Sequence, residues 1–198
     1  MTRSPNVTWQ AGAASRERRR EALGHEGATV WFTGLPASGK STIAVGVEER
    51  LLAAGRSAYL LDGDNLRHGL NGDLGFDVAA RAENVRRAAE VARLFADAGT
   101  VALVSLVSPY EADRAAARKL HAEDGLRFVE VFVNTPLEEC ERRDPKGLYA
   151  RARAGELSGF TGVDDPYEAP SSPEVELAPE VELGAAVDSV LGALNAGG

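Results

Sequence analysis

One eight-residue segment constrains the fold of this chain more than any other feature. It matches the pattern Gly-x-x-x-x-Gly-Lys-Ser/Thr at every fixed position and reads Gly34-Leu35-Pro36-Ala37-Ser38-Gly39-Lys40-Ser41. The preceding run, residues 28–33, is apolar and rich in β-forming residues, whereas residues 41–54 favour a helix that ends at Gly55. A strand, a glycine-rich loop and a helix in this order predict a phosphate-binding loop, because its backbone N–H groups turn toward phosphate oxygens.

The polar side chains of this loop predict nucleotide chemistry. In such loops the lysine, here Lys40, reaches the β- and γ-phosphates of a nucleoside triphosphate, and the serine hydroxyl, here Ser41, binds magnesium. The motif predicts which ligand is bound but not which reaction follows.

Composition and charge narrow the class of protein. The chain has 198 residues, of which 44% are hydrophobic and 26% charged, as expected for one compact domain. The formal net charge of -8 argues against a general nucleic-acid binder, which needs a dense cationic face.

No apolar run approaches the roughly 20 residues of a membrane-spanning helix, and the arginine cluster at 16–20 is followed by Glu21 and not by the apolar core of a signal peptide. With Cys140 as the only cysteine, we expect a cytoplasmic protein without internal disulfides.

Strands and helices alternate along the rest of the chain. Further strands are predicted at 57–61, 101–107, 128–133 and 175–177, and further helices at 80–98, from Pro109 to 123, after Pro136 and at 184–194. This alternation predicts an α/β fold: the three-layer P-loop NTPase arrangement, with a mostly parallel five-stranded sheet flanked by helices.

The chain is expected to divide into an N-terminal extension and one domain. Residues 1–27 are polar and mixed, with Trp9 as the expected anchor, and residues 28–198 form the predicted kinase domain. Within it, residues 144–173 are rich in glycine, proline and charge, which predicts a long lid loop with a helical piece.

Polar clusters follow the first three predicted strands. The glycine-rich loop follows the first, Asp62-Gly63-Asp64 the second, and Ser108-Pro109 the third. Because ligands bind beyond the carboxyl ends of parallel strands, we expect these clusters to meet at one edge. Asp62 is then the candidate to accept a substrate proton or to hold the water shell of a metal. The alternative for either aspartate is a helix cap, with Asp64 preceding an apparent helix start.

Arginine and aromatic side chains suggest a second substrate. Arg81 and Asn84 are three residues apart on one predicted helix face, and planar arginine donors suit phosphate or sulfate groups. Phe76 and Phe160 lie in polar, glycine-containing surroundings and are either core residues or two rings that sandwich a purine. Lys146 belongs to the predicted lid, which would close over bound nucleotide and exclude water.

These residues together resemble the adenylyl-sulfate kinase family, which makes 3′-phosphoadenylyl sulfate in sulfate assimilation. The similarity runs from Asn6 to about Glu176. Its most specific segments are LLDGDNLRHGLNGDLGF at 60–76, FVEVFVNTPLEECERRDPKGLYARARAGE at 128–156 and FTGVDDPYEAP at 160–170.

The resemblance implies a reaction and the residues that serve it. The γ-phosphoryl group of Mg-ATP would pass to the 3′-hydroxyl of adenosine 5′-phosphosulfate (APS), with ATP bound at residues 34–41. The implied APS site consists of Asp64, Asn65, Leu66, Arg67, Phe76, Arg81, Asn84, Val107, Ser108, Lys146, Phe160 and Thr161. The expected catalytic residues are Lys40, Asp62 and Ser108, and the expected magnesium ligands are Ser41 and Asp62. The family also implies a homodimer, with ATP sulfurylase as a functional partner on a separate chain.

Three positions need separate comment. In this family a serine at the position of Ser108 is assigned as a phosphoserine intermediate. A serine nucleophile needs an activating base and no histidine is evident nearby, so direct in-line transfer with Ser108 positioning the acceptor is the simpler expectation. Pro36 and Ala37 stand where the family often has Ser-Gly, positions at which the motif is variable.

Three other functions remain as alternatives. A P-loop kinase for a sugar acid, a shikimate-like acid or a nucleoside monophosphate would share the glycine-rich loop but need no purine sandwich. A regulator that senses APS would not require Lys40, Ser41 and Asp62 to be intact. A polynucleotide 5′-hydroxyl kinase would require a basic stripe, which the net charge disfavours.

Overall fold

The structure is a computed structural model that describes residues 6–8, 10 and 12–196. In this part of the chain five strands form a single sheet, parallel throughout, in the order β2-β3-β1-β4-β5. Their bounds are β1 Ala28–Thr33, β2 Ala58–Asp62, β3 Val101–Ser105, β4 Arg127–Val133 and β5 Val175–Leu177. All five predicted strands are therefore confirmed.

Helices connect the strands and cover both faces of the sheet. They are α1 Arg16–Leu23, α2 Lys40–Ala53, α3 Gly63–Leu66, α4 Val78–Ala98, α5 Glu111–Glu123, α6 Leu137–Arg143, α7 Leu148–Arg153 and α8 Leu183–Asn195. The predicted helices are confirmed with small shifts at their ends, and α7 is the helical piece expected within 144–173. Helix α1 was not predicted, and α3 begins two residues before the helix start expected after Asp64. Trp9, the expected anchor of the extension, lies outside the described residues.

The sheet separates two hydrophobic clusters. Val30 and Phe32 of β1 face the cluster shared with α2 and α8, whereas Trp31 faces the cluster shared with α4 and α5. Alternate residues of a strand point to opposite faces, so a strand covered on both sides is apolar throughout. This explains why the sequence of β1 shows a continuous apolar run and no alternation.

Capping residues set both ends of helix α4. The Asp77 side chain accepts a hydrogen bond from the backbone N–H of Ala80 at the N-cap, and Gly99 ends the helix with a φ of 96°. The apolar stripe of Val85, Ala88, Val91, Ala92 and Phe95 packs into the second cluster. Helix α1 lies against the far end of α4, where Arg16 donates hydrogen bonds to Asp97.

Strand β3 is shorter than predicted. It was expected to reach residue 107 but ends at Ser105. Beyond it the Val107 carbonyl accepts a hydrogen bond from the Thr33 hydroxyl, at 2.7 Å, in place of a strand N–H. The chain therefore leaves the sheet before Ser108. In the described part of the chain, no helix has the length and apolar character that crossing a bilayer requires.

Candidate active site

The glycine-rich loop connects β1 to α2 and contains three residues with positive φ. Gly34 has a φ of 149° and Gly39 one of 107°, while Ala37 has a φ of 61°, which is unusual for a residue with a Cβ atom. A Cβ atom at Gly34 would lie 2.6 Å from the Val133 carbonyl oxygen, so only glycine fits there. The loop thus has the curled backbone that a phosphate-binding loop needs.

Lys40 is buried inside this loop. Its Nζ donates hydrogen bonds to the carbonyls of Gly34 at 3.0 Å and Leu35 at 2.7 Å, and to the Ser38 hydroxyl at 3.3 Å. Burial lowers the pKa of Lys40 to about 8, against the opposing attraction of the nearby carboxylates. The lysine charge is therefore held among carbonyl oxygens of the loop.

Ser41 connects the loop to the ends of two other strands. Its hydroxyl donates a 2.6 Å hydrogen bond to Asp62 Oδ2 at the end of β2 and lies 3.1 Å from Ser105 Oγ at the end of β3. Asp62 is also the N-cap of α3, because its Oδ1 accepts from the backbone N–H of Asp64 at 2.9 Å. The sequence had suggested Asp64 as a cap; the cap is Asp62, since α3 begins two residues earlier than expected.

The third predicted cluster lies in the rim loop, residues 106–110. Ser108 is buried and has a φ of 40°. Its Oγ accepts a hydrogen bond from Trp31 Nε1 and donates one to Thr33 Oγ1, both at 3.1 Å. Among the hydrogen bonds of the described residues, none joins this hydroxyl to a histidine or a carboxylate.

Arg81 joins the two regions proposed to hold the second substrate. Its Nε donates to the Phe76 carbonyl at 2.8 Å, and one terminal nitrogen donates to Thr161 Oγ1 at 2.8 Å. The other terminal nitrogen donates to the Gly159 carbonyl. Arg81 therefore connects the segment before α4 to residues 159–168, which we call the distal lid segment.

The two candidate aromatic rings have different partners. The Phe76 ring is 63% exposed, and the Arg67 guanidinium lies 4.1 Å from its centre. The Phe160 ring packs edge-on against Tyr149, with ring centres 5.0 Å apart. The purine sandwich between Phe76 and Phe160 stays a prediction.

Other predicted site residues surround this region. Lys146 forms an ion pair with Asp64, and Asn84 is buried with its Oδ1 accepting from Asn71 Nδ2 at 2.9 Å. On α3, Asn65 is exposed, whereas Leu66 packs against the second hydrophobic cluster. The Tyr149 hydroxyl of the lid donates to the Pro36 carbonyl at 3.0 Å. The lid residues thus contact both the glycine-rich loop and the acidic cluster after β2.

A cavity of about 190 Å³ adjoins the glycine-rich loop and was not predicted. It lies between Ser38, Gly39 and Thr42 on one side and the segment after β5, which includes Pro179, on the other. Ser105 was also missed. The signal that could have found both is position, because each lies at the carboxyl end of a strand.

Comparison with known proteins identifies the chain at family level. The sequence model of the Adenylylsulphate kinase family matches residues 26–178. The chain belongs to the adenylylsulphate kinase family. The resemblance noted from the motifs is thereby confirmed, and so is the kinase class of the protein.

Individual members of the family agree with this assignment. An adenylyl-sulfate kinase of Citrobacter koseri is 59% identical over 172 residues, covering 87% of this chain and 85% of its own length. The bifunctional enzyme NodQ of Rhizobium sp. (strain N33) is 55% identical over 98% of this chain, but this chain spans only 29% of NodQ.

The fold agrees with a solved structure of the same family. The Mycobacterium tuberculosis APS kinase CysC, in complex with AMPPNP and APS, has a TM-score of 0.85 and 56% sequence identity to this chain. The match covers 87% of this chain and 99% of the other. The predicted P-loop kinase fold is therefore confirmed.

Proposed function

We propose that this chain transfers the γ-phosphoryl group of Mg-ATP to the 3′-hydroxyl of adenosine 5′-phosphosulfate, giving 3′-phosphoadenylyl sulfate and ADP in sulfate assimilation. The observation that carries the proposal is the hydrogen bond between Ser41 and Asp62, which brings the glycine-rich loop to the carboxylate after β2 in a member of this family. The complex of the solved relative, which contains a nucleotide and APS, supports the pairing of substrates.

The donor side is proposed to be built by the glycine-rich loop and the adjoining cavity. Backbone N–H groups of residues 34–41 would bind the phosphates, and Lys40 would exchange its carbonyl partners for phosphate oxygens. The cavity beside Ser38 and Thr42 is in position for the nucleoside.

Ser41 and Asp62 would hold the magnesium ion. They present a hydroxyl and a carboxylate oxygen within 2.6 Å of each other, and hard oxygen donors of this kind suit Mg²⁺, which usually completes its shell with water and substrate phosphates. When bound, the ion would neutralise charge on the phosphate oxygens.

The acceptor side is proposed to lie between α3, α4 and the distal lid segment. Arg81 and Lys146 supply cationic donors for the phosphate and sulfate groups of APS, and Phe76 and Phe160 supply the aromatic faces for its adenine. The other residues proposed to line this site are Asp64, Asn65, Leu66, Arg67, Asn84, Val107, Ser108 and Thr161.

Transfer is proposed to be direct. The 3′-oxygen of APS attacks the γ-phosphorus while the bond to the β,γ-bridging oxygen breaks, and ADP leaves with that oxygen. Asp62 either accepts the proton of the 3′-hydroxyl or holds the water shell of the metal. Ser108 is better suited to positioning than to covalent catalysis, because its hydroxyl is buried between Trp31 and Thr33 without a base.

One assay tests the proposed function. Purified protein is incubated with Mg-ATP and APS, or with sugar acids, shikimate-like acids and nucleoside monophosphates, and the products are separated by chromatography. We expect ADP and 3′-phosphoadenylyl sulfate in equal amounts with APS alone. Turnover of another acceptor in preference to APS would refute the proposal, and APS binding without ADP formation would indicate a sensor.

The assembly and cellular setting are also proposals. We infer a homodimer, testable by light scattering, and ATP sulfurylase as a functional partner, which the bifunctional relatives support. We further propose the cytoplasm as the location, which suits a chain whose single cysteine is buried. Residues 144–173 are proposed to act as the lid and residues 1–27 as an extension of the kinase domain 28–198.

A further inference from the structure

Arg114 of α5 is a buried arginine whose donors reach three separate parts of the molecule. It is 2% exposed. Its Nε donates to Glu130 Oε1 on β4 at 2.9 Å, one terminal nitrogen donates to the Ser108 carbonyl at 2.7 Å, and the other donates to the Glu168 carbonyl at 2.7 Å. One side chain therefore connects the sheet, the rim loop and the distal lid segment.

The carbonyls of Ser108 and Glu168, which accept from Arg114, lie where the rim loop contacts the distal lid segment. Glu168 N–H donates to the Pro109 carbonyl at 2.8 Å, and its carboxylate accepts from the Glu111 N–H at 2.7 Å. The Tyr110 hydroxyl donates to Asp165, at 3.0 Å to the nearer oxygen. The rim loop and the distal lid segment are thus joined at several points, and the Arg114 guanidinium lies beside them.

The contact with Ser108 constrains a backbone that would otherwise be unfavourable. Ser108 has a φ of 40°, in the left-handed region that residues other than glycine seldom adopt. Such a conformation persists only where surrounding contacts determine it. Arg114 binds the carbonyl of this residue while Trp31 and Thr33 bind its hydroxyl.

We propose that Arg114 is a positioning residue for the acceptor substrate: it fixes the rim loop relative to the distal lid segment, so that Ser108 and Thr161 are held in the arrangement that APS requires. The proposal rests on the proposed function, since it assigns these two residues to the APS site. Among the described residues, the hydrogen bonds of Arg114 reach neither the glycine-rich loop nor Asp62, so its effect falls on the acceptor and not on ATP.

The geometry requires arginine specifically. A guanidinium presents five N–H donors in a fixed planar fork, whereas a lysine ammonium is a single point at the end of a flexible stem. Lysine at this position would keep the charge opposite Glu130, but its single nitrogen cannot occupy the three positions from which Arg114 donates to Glu130, Ser108 and Glu168. The substitution R114K therefore separates the positioning role from the charge.

Arg118, one turn further along α5, provides the matched control. It also donates to Glu130, at 3.1 Å to Oε2, and its other contacts are to Glu174 and to the face of the Phe128 ring, whose centre lies 5.0 Å from the guanidinium. R118K removes a comparable contact to the same carboxylate without touching the rim loop or the distal lid segment.

The experiment compares steady-state kinetics of wild type, R114K and R118K. We expect R114K to raise the KM for APS about tenfold, the order of one lost hydrogen bond to a charged group, and to leave the KM for ATP within about twofold. R118K should leave both values near wild type. Equal changes in both KM values, an unchanged KM for APS, or failure of R114K alone to fold would each overturn the proposal and assign Arg114 a structural role.

A second variant and an optical readout make the test independent of R114K activity. Y110F removes one hydroxyl contact between the rim loop and Asp165, and should raise the KM for APS in the same direction; no change would contradict the coupling. Trp31 donates to Ser108, and Trp9 is the only other tryptophan in the chain. In a W9F background, R114K should shift Trp31 emission, even if APS proved not to be the substrate. R118K should shift it less, because Arg118 reaches Trp31 only through the Phe128 ring that stacks on it. An unchanged spectrum would show that Arg114 does not hold Ser108.

Discussion

The Ser41 hydroxyl donates a 2.6 Å hydrogen bond to Asp62 Oδ2. Ser41 follows β1 and Asp62 ends β2, and these two strands are separated in the sheet by β3. The bond is made across the end of β3, where Ser105 also approaches Ser41. Distant parts of the sequence therefore meet at one point because parallel strands end at the same edge of the sheet.

The charge of Asp62 is the first feature to test. D62N keeps a group of the same size beside Ser41. It removes the negative charge that is needed either to hold the metal or to accept the proton of the 3′-hydroxyl. We expect kcat to fall by about 10² or more and the magnesium concentration for half-maximal activity to rise. S105A, which removes the other neighbour of Ser41, should leave kcat within a few fold. Magnesium titrations of both variants measure kcat and the magnesium concentration for half-maximal activity. Normal turnover by D62N would exclude Asp62 both as a metal ligand and as the proton acceptor.

Lys40 is expected to stabilise charge on the migrating phosphoryl group. K40A should lower kcat/KM by several orders of magnitude, since the loop backbone alone cannot supply a mobile positive charge. The V45A variant, which removes an exposed side chain of the same helix that does not line the cavity, serves as the control. Steady-state assays with saturating APS measure both, and near-normal activity of K40A would remove this residue from the mechanism.

The aromatic rings should act on APS binding. Base stacking on an aromatic side chain is worth about 1–3 kcal/mol, so F160A should raise the KM for APS between about fivefold and a hundredfold while the KM for ATP changes little. L94A removes an exposed apolar side chain on the surface of α4 and should change neither value. If F160A left the KM for APS unaltered, Phe160 would be assigned to packing against Tyr149.

Ala37 holds a backbone conformation that glycine would adopt without strain. Its φ of 61° costs an L-residue roughly 1–2 kcal/mol, while glycine loses about 0.4–1 kcal/mol through a more flexible unfolded chain. We therefore expect A37G to raise the free energy of unfolding by up to about 1.5 kcal/mol, whereas A116G in the interior of helix α5 should lower it by about 1 kcal/mol. Urea titrations followed by circular dichroism test the opposite signs. Destabilisation by A37G would show that the loop tolerates alanine without strain.

Secondary structure was predicted well where the hydrophobic pattern and the residues that end a strand or helix agree. Strand β1 was predicted to the residue because its apolar run ends at the glycine-rich loop. The end of α4 was predicted because its apolar stripe stops at Gly99, whereas the helix begins two residues before the predicted start. Helix α1 was missed since it buries no residue of its own, so no apolar stripe marks it. Helix α3 is a single turn, too short for any period to be visible.

The contacts of the candidate site also fall into a group that could be predicted from the sequence and a group that could not. The motif and the strand ends predicted that Lys40, Ser41 and Asp62 would lie together, because this depends on topology alone. The contacts of Arg114 with Ser108 and Glu168 could not be predicted, since they depend on the path of two irregular loops. For an isolated arginine on a helix, the sequence gives only the expectation of exposure to solvent.

The lowered pKa of Lys40 predicts that nucleotide binding depends on pH. In the nucleotide-free protein burial lowers the pKa to about 8, and bound phosphates would raise it again. Above pH 8 the lysine must take up a proton when ATP binds, so ATP affinity should fall as pH rises, by up to about tenfold per unit. Isothermal titration calorimetry in buffers of different ionisation enthalpy measures this proton. K40R, which stays charged, should show none, and equal proton uptake by both proteins would contradict the assignment.

The buried histidine should make the fold sensitive to acid. His121 is fully buried, its Nδ1 lies 2.8 Å from the Ala117 carbonyl and its Nε2 2.8 Å from Thr29 Oγ1. Because a carbonyl only accepts, Nδ1 carries the proton and the neutral ring accepts at Nε2 from the threonine hydroxyl. Burial lowers the pKa of His121 below its usual range.

The sign of the effect follows from linkage. Between the lowered pKa of the folded state and about 6.5 in the unfolded chain, the unfolded state binds more protons, so the free energy of unfolding falls as pH drops through this window. H121Q can still donate and accept hydrogen bonds but does not titrate, and should give a flatter dependence between pH 7.5 and 5.5. The exposed His68 provides the control, since H68Q should keep the slope of the wild type. Urea titrations at several pH values compare the three slopes. If H121Q and wild type lost stability in parallel, the acid sensitivity would not come from His121.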